Sequence, residues 1–230
     1  MIALDGVTKS FGARRLLDGV DLAIGRGETF GLIGTAGSGK SVLAKIVCRL
    51  IAPDAGDVRV DAAPIGMLFQ NNALFDFMTV GDNVAFPLVR SGALPADEIR
   101  ARVAERLRAV GLAGSEDKFP NELSGGMKKR AALARAVIAR PPVCIFDEPT
   151  AGLDPVTTSK IYDLLRAERD ATAATVVVIS SDVDALRAFC PRVGMLHEGK
   201  LRYDGAAAAI ADSDDAVVRQ FVRGALEGPL

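Results

Sequence analysis

Gly34, Gly37 and Gly39 punctuate a stretch that ends an apolar run and stops at Lys40-Ser41, so that Gly34 to Ser41 reads G-x-x-x-x-G-K-S. Glycines let a backbone curl until successive N–H groups face inward, which suits Gly34, Thr35, Ala36, Gly37, Ser38 and Gly39 to cradling phosphate oxygens. The helix expected from Lys40 aims its positive dipole end at the same anion. Lys40 would reach the β- and γ-phosphates, and the Ser41 hydroxyl is a ligand for Mg²⁺. A second stretch, Val143-Cys144-Ile145-Phe146, is an apolar strand that ends in Asp147-Glu148. Carboxylates at the C-terminal edge of such a strand stand where α/β folds bind ligands. Asp147 is placed to hold Mg²⁺ through water, and Glu148 to polarise an attacking water. A third stretch, Leu123-Ser124-Gly125-Gly126-Met127, opens a helix and repeats the anion-cradle logic with Ser124, Gly125 and Gly126. One P-loop serves one γ-phosphate, so a second cradle points to a second molecule.

The elements that carry these residues follow from periodicity. Ile2–Val7 and Val20–Ile24 alternate large apolar with small or polar residues, as half-buried antiparallel strands do. Thr29–Ile33 is apolar throughout and belongs in the centre of a sheet covered on both faces. Val58–Val60, Ile65–Phe69, Val143–Phe146 and Thr175–Ile179 are further strands. Val193–His197 and Lys200–Tyr203 flank Glu198-Gly199, a hairpin signal. Between Asn71 and Arg140 helical spacing dominates: Ile99, Val103, Leu107 and Val110 share one face, and a second helix runs from about Met127 to Ala139. Strands alternating with helices predict an α/β fold with a mainly parallel core sheet, an N-terminal antiparallel part and a helical insertion. The expected organisation is one domain. Its core covers about 1–70 and 141–210, its helical subdomain about 71–140, and its C-terminal helix about 211–230.

Composition narrows the partners. The 230 residues are 49% hydrophobic and 25% charged with a net charge of −1, so no basic surface argues for nucleic acid. No apolar run approaches the roughly 18–20 residues of a membrane span, and Met1-Ile2-Ala3-Leu4-Asp5 does not look like a signal peptide. Cys48, Cys144 and Cys190 are scattered among apolar neighbours, as reduced thiols of a cytoplasmic protein would be.

The three stretches together, with Gln70 after its strand and the Gly152-Leu153-Asp154 loop, resemble the ATP-binding-cassette (ABC) ATPases from about Ile2 to Gly205. The resemblance implies that ATP and Mg²⁺ bind in a head-to-tail dimer. Each nucleotide would lie between one copy's P-loop and the other's Ser124-Gly125-Gly126. It also implies that Phe11 stacks on adenine, that Gln70 senses Mg²⁺, and that Lys40 and Glu148 carry the hydrolysis. Met67 to Leu88, with Met127 in place of the commoner glutamine, is similar to the ATPases of Mce/Mla-type lipid transporters. That narrower likeness implies an integral-membrane permease docked on the Gln70–Leu88 region, a place on the inner face of the bacterial inner membrane, and a small regulatory subunit as a further partner. The alternatives are an ABC ATPase for another cargo and a slow or regulatory nucleotide-binding subunit.

One position departs from the family's pattern. A histidine is expected after Thr175–Ile179 to contact the γ-phosphate, and Ser181 stands there. A serine hydroxyl can hydrogen-bond phosphate but brings no positive charge. The single histidine, His197, is expected at the surface of a hairpin.

Overall fold

The computed structural model describes residues 1–230. In chain order its elements begin with β1 (Ile2–Phe11), β2 (Arg14–Ile24), β3 (Thr29–Gly34), α1 (Lys40–Val47), β4 (Ala55–Val60) and β5 (Ile65–Leu68). Then come α2 (Val80–Ser91), α3 (Ala96–Ala109), α4 (Gly125–Val137), β6 (Val143–Asp147) and α5 (Pro155–Thr172). The chain ends with β7 (Thr175–Ile179), α6 (Val183–Phe189), β8 (Arg192–His197), β9 (Lys200–Ala206) and α7 (Ala216–Arg223). Two compact units result: Met1–Ala63 with Thr175–Leu230, and Pro64–Ala174. The fold is α/β, with mostly parallel strands and an antiparallel N-terminal sheet.

In the first unit β1 pairs antiparallel with β2 on one side and β4 on the other. Ile2, Leu4 and Val7 are buried, as their alternation predicts. β3 lies between β7 and β8 and is parallel to both. Every residue of β3 is buried, which explains its unbroken apolar character. β8 returns through Glu198-Gly199 into antiparallel β9, with φ of +47° and +76° at the two turn residues, the left-handed pair a tight hairpin needs.

In the second unit β5 runs parallel to β6, with Leu68 opposite Phe146. Its core joins Val80, Val84 and Leu88 of α2 to Ile99, Val103 and Leu107 of α3 and Ala131, Ala134 and Ile138 around α4. Each of the larger side chains contributes about 1.5–3 kcal/mol by leaving water. α2 is the element that periodicity did not single out, because Pro87 interrupts it. Its start is nonetheless capped: Thr79 Oγ1 accepts the Asp82 N–H at 3.0 Å.

Candidate functional site

The loop Gly34–Gly39 connects β3 to α1, and φ is +149° at Gly34, +70° at Gly37 and +106° at Gly39. A side chain at Gly39 would press on Leu17 Cδ2 at 2.7 Å, so the sharp entry into α1 requires glycine. No side chain caps α1 and no acid lies in its first turn, which keeps the dipole end open to an anion. Lys40 Nζ donates to the carbonyls of Gly34 (2.8 Å) and Thr35 (2.9 Å), so the ammonium lies across the loop it would share with phosphate. Ser38 Oγ is buried with no hydrogen-bond partner, an orphaned group inside the cradle that a phosphate oxygen would satisfy. Arg14 Nη2 donates to the Gly37 carbonyl at 3.2 Å and braces the loop's tip.

Three further predicted residues belong to the first unit. Phe11 ends β1 half exposed, with the Lys9 ammonium 5.6 Å from its ring centre. Ser181 is exposed two residues beyond β7, just before Asp182 caps α6 by accepting the Ala185 N–H at 3.0 Å. His197 is not the surface group expected of a hairpin. Its side chain is only 14% exposed, and Nδ1 lies 3.2 Å from Thr35 Oγ1 in the Gly34–Gly39 loop. The reason is register: β8 runs beside β3 with Leu196 opposite Gly34, so the next residue meets the loop that follows Gly34.

The second unit carries the acids and the signature, the stretch Leu123–Met127. β6 is buried throughout and ends at Asp147, which is 2% exposed. Glu148 follows with φ of +50°, a left-handed conformation that costs a non-glycine residue about 1–3 kcal/mol and concentrates at functional positions. Gln70 lies two residues beyond β5, as Glu148 lies two beyond Phe146 of its paired strand β6. Ser124 caps α4 by accepting the Met127 N–H at 3.3 Å, while the space around Gly125 is open. Asp154 caps α5, accepting from the N–H (2.9 Å) and hydroxyl (2.6 Å) of Thr157, which hold its carboxyl below the usual range.

A family model described as ABC transporter matches residues 17–151. The chain belongs to the ABC transporter family. Over 244 aligned positions it is 39% identical to the probable ribonucleotide transport ATP-binding protein mkl of Mycobacterium leprae, covering 100% of this chain and 70% of that one. It is 36% identical over 245 positions to the intermembrane phospholipid transport system ATP-binding protein MlaF of Escherichia coli K12, covering 100% of this chain and 91% of MlaF. The ATP-binding cassette MJ0796, solved as a dimer in a post-hydrolysis state with ADP and Pi, superposes with a TM-score of 0.84 at 33% identity. That match covers 90% of this chain and 99% of the cassette. This is the ATPase subunit of an ABC transporter, with a nucleotide as its ligand.

The ABC fold also organises residues that motif reading passed over. Asn83, fully buried on α2, accepts from the Phe75 N–H at 2.8 Å and donates to the carbonyls of Phe75, Met78 and Thr79. It thereby shapes the 75–79 loop. Phe75 packs on Phe77 (centroids 5.8 Å) and Phe86 (5.0 Å), and the Arg135 guanidinium stands 5.5 Å from its ring centre. Phe77 is 80% exposed beside this cluster. Lys129 and Arg135 are both buried cations of α4. No local pattern marks either as buried, because the carbonyls they meet lie 59 to 63 residues earlier.

Proposed function

We propose that this ATPase powers the movement of lipid by a membrane permease, as a head-to-tail dimer with two ATPs sandwiched between the copies. The observation that carries the lipid reading is the segment 67–88, whose resemblance to Mce/Mla-type ATPases is joined by full-length similarity to MlaF, named for phospholipid transport. The name of mkl favours ribonucleotide as a second cargo class. No helix is long and apolar enough to cross a membrane. In this reading an integral-membrane partner handles the cargo, and the subunit sits on its cytoplasmic side.

Within this reading each residue has a physical task. Gly34–Ser41 cradles the triphosphate and Ser124-Gly125-Gly126 closes on the partner copy's nucleotide. Phe11 offers its exposed ring to adenine. Ser41 in the first unit, and Gln70 and Asp147 in the second, carry hard oxygen donors that suit Mg²⁺. The ion, when bound, neutralises charge on the β/γ-phosphate oxygens. Glu148 takes a proton from the attacking water, and the Ser181 hydroxyl donates a hydrogen bond to a γ-phosphate oxygen.

The aromatic cluster around Phe77 fits an apolar helix of the permease, because a ring this exposed gains most when a partner covers it. Purifying the subunit from detergent-solubilised membranes is expected to bring down an integral-membrane partner that carries bound phospholipid. Phe77→Asp is expected to lose that partner while still binding ATP. Recovery of no membrane protein with the wild type would overturn the transport reading, and recovery of ribonucleotide in place of lipid would select the second cargo.

Ser181 predicts slow turnover. A missing transition-state contact costs about 10²–10³ in rate, so Ser181→His with the partner present is expected to raise turnover at least ~10-fold. Steady-state phosphate release measures it; an unchanged rate would mean that Ser181 does not limit hydrolysis.

A further inference from the structure

Lys129 lies in the second turn of α4, 4% exposed, and its Nζ donates to the Gln70 carbonyl oxygen at 2.9 Å. A buried ammonium is costly unless opposite charge compensates it. Burial draws its pKa down, while the charges of Glu148 and Asp147 push it back up. The strands bring Glu148 to the edge where the ammonium holds Gln70. β5 and β6 are parallel and pair Leu68 with Phe146, so Gln70 and Glu148 leave the pair at the same edge. α4 lies tightly on β5, since a side chain at Gly66 would collide with the Ala136 carbonyl.

A second cation completes the grip. Arg135 donates to the carbonyls of Asn72 (2.8 Å) and Ala73 (2.7 Å), both residues held at positive φ. The backbone from Gln70 to Ala73 is therefore fastened to α4 at three carbonyls by two buried side chains. Ser124, at the start of that same helix, is the cap that would meet the partner copy's nucleotide.

We propose that Lys129 is a positioning residue for hydrolysis, one ammonium that sets the Gln70 backbone and the Glu148 carboxylate relative to the signature helix. The inference rests on the assignment of Glu148 as the base. It makes α4 a link within one chain: engagement at Ser124 reaches Glu148 and Gln70 through Lys129, with no further element between.

The test separates charge from bulk. Lys129→Gln keeps a donor and loses the charge, whereas Lys129→Arg keeps both. In the assembled transporter, Lys129→Gln is expected to lower kcat about 10- to 100-fold, the cost of a misplaced catalytic group, with the KM for ATP within twofold. Lys129→Arg is expected to recover most of the rate. An unmoved kcat in Lys129→Gln, a parallel change of kcat and KM, or an arginine variant as slow as the glutamine one would each overturn the proposal. Glu148→Gln, run alongside, separates the two readings. If it is inactive while Lys129→Gln is unaffected, the Lys129 role fails alone. If it turns over normally, the base assignment fails and takes the proposal with it.

Discussion

Replacing Glu148 by glutamine is expected to lower ATP turnover by about 10²–10⁴-fold, the range that a positioned general base supplies, while nucleotide affinity stays within a few-fold. Glutamine matches the shape of glutamate and can still orient a water, but its amide does not take the proton. The backbone gives a reason to expect a clean effect. Glu148 is held at φ +50°, and the flanking β6, buried over its whole length, fixes that geometry in either variant. The proposed phosphate cradle is Gly34–Ser41, which this substitution does not touch. Binding and chemistry should therefore separate, with ATP taken up and then retained. If hydrolysis opens the sandwich, Glu148→Gln should also accumulate as a dimer in ATP, whereas the wild type dissociates as it turns over. Single-turnover phosphate release gives the rate, and gel filtration with ATP gives the dimer. A variant that hydrolyses within tenfold of wild type would remove Glu148 from the role of base.

What the sequence made legible is what backbone chemistry forces on residue type. A loop with positive φ at Gly34, Gly37 and Gly39 needs glycines, and a cap such as Ser124 or Asp154 needs a short side-chain oxygen, so these features stand out before any fold is known. The buried strands announced themselves through unbroken apolar runs, and the β8–β9 hairpin through Glu198-Gly199. The rest depended on partners distant in the chain. His197 reaches the Gly34–Gly39 loop only because β8 lies beside β3, a register no local pattern encodes. Lys129 sits in a Lys-Lys-Arg run that periodicity cannot distinguish from a solvated face. Its burial comes from Gln70, 59 residues earlier, and Arg135 likewise finds its carbonyls 62 and 63 residues away. Pro87 concealed α2 by breaking the local rule that would have announced it, while packing through Val80, Val84 and Leu88 overrode the cost.

Gly34→Ala is expected to be strongly damaging, because two independent costs fall on one position. Its φ of +149° lies where side-chain-bearing residues are strained, at about 1–3 kcal/mol. An added Cβ would also overlap the Leu196 carbonyl oxygen and approach Ser38 Oγ at 3.1 Å, and overpacking of this kind costs about 1–3 kcal/mol more. The carbonyl cannot swing aside easily, since Leu196 is the β8 residue paired with Gly34 itself. Together these consume a large part of the roughly 5–15 kcal/mol that holds a domain folded. For a chain of this size they lower the melting temperature by about 5–20 °C, at roughly 2–4 °C per kcal/mol. The protein can escape only by reshaping the loop, which displaces the carbonyls of Gly34 and Thr35 that Lys40 now holds and so destroys the phosphate cradle. That escape removes ATP binding. Gly37→Ala is the matched control. Its φ of +70° carries the left-handed strain, about 1–2 kcal/mol, but its added Cβ would meet only Arg14 Nη2, at 3.6 Å. Thermal melts and nucleotide titrations of both variants should therefore rank Gly34→Ala well below Gly37→Ala on both scales. Equal losses would mean that loop strain, and not the contact with β8, governs this end of the site.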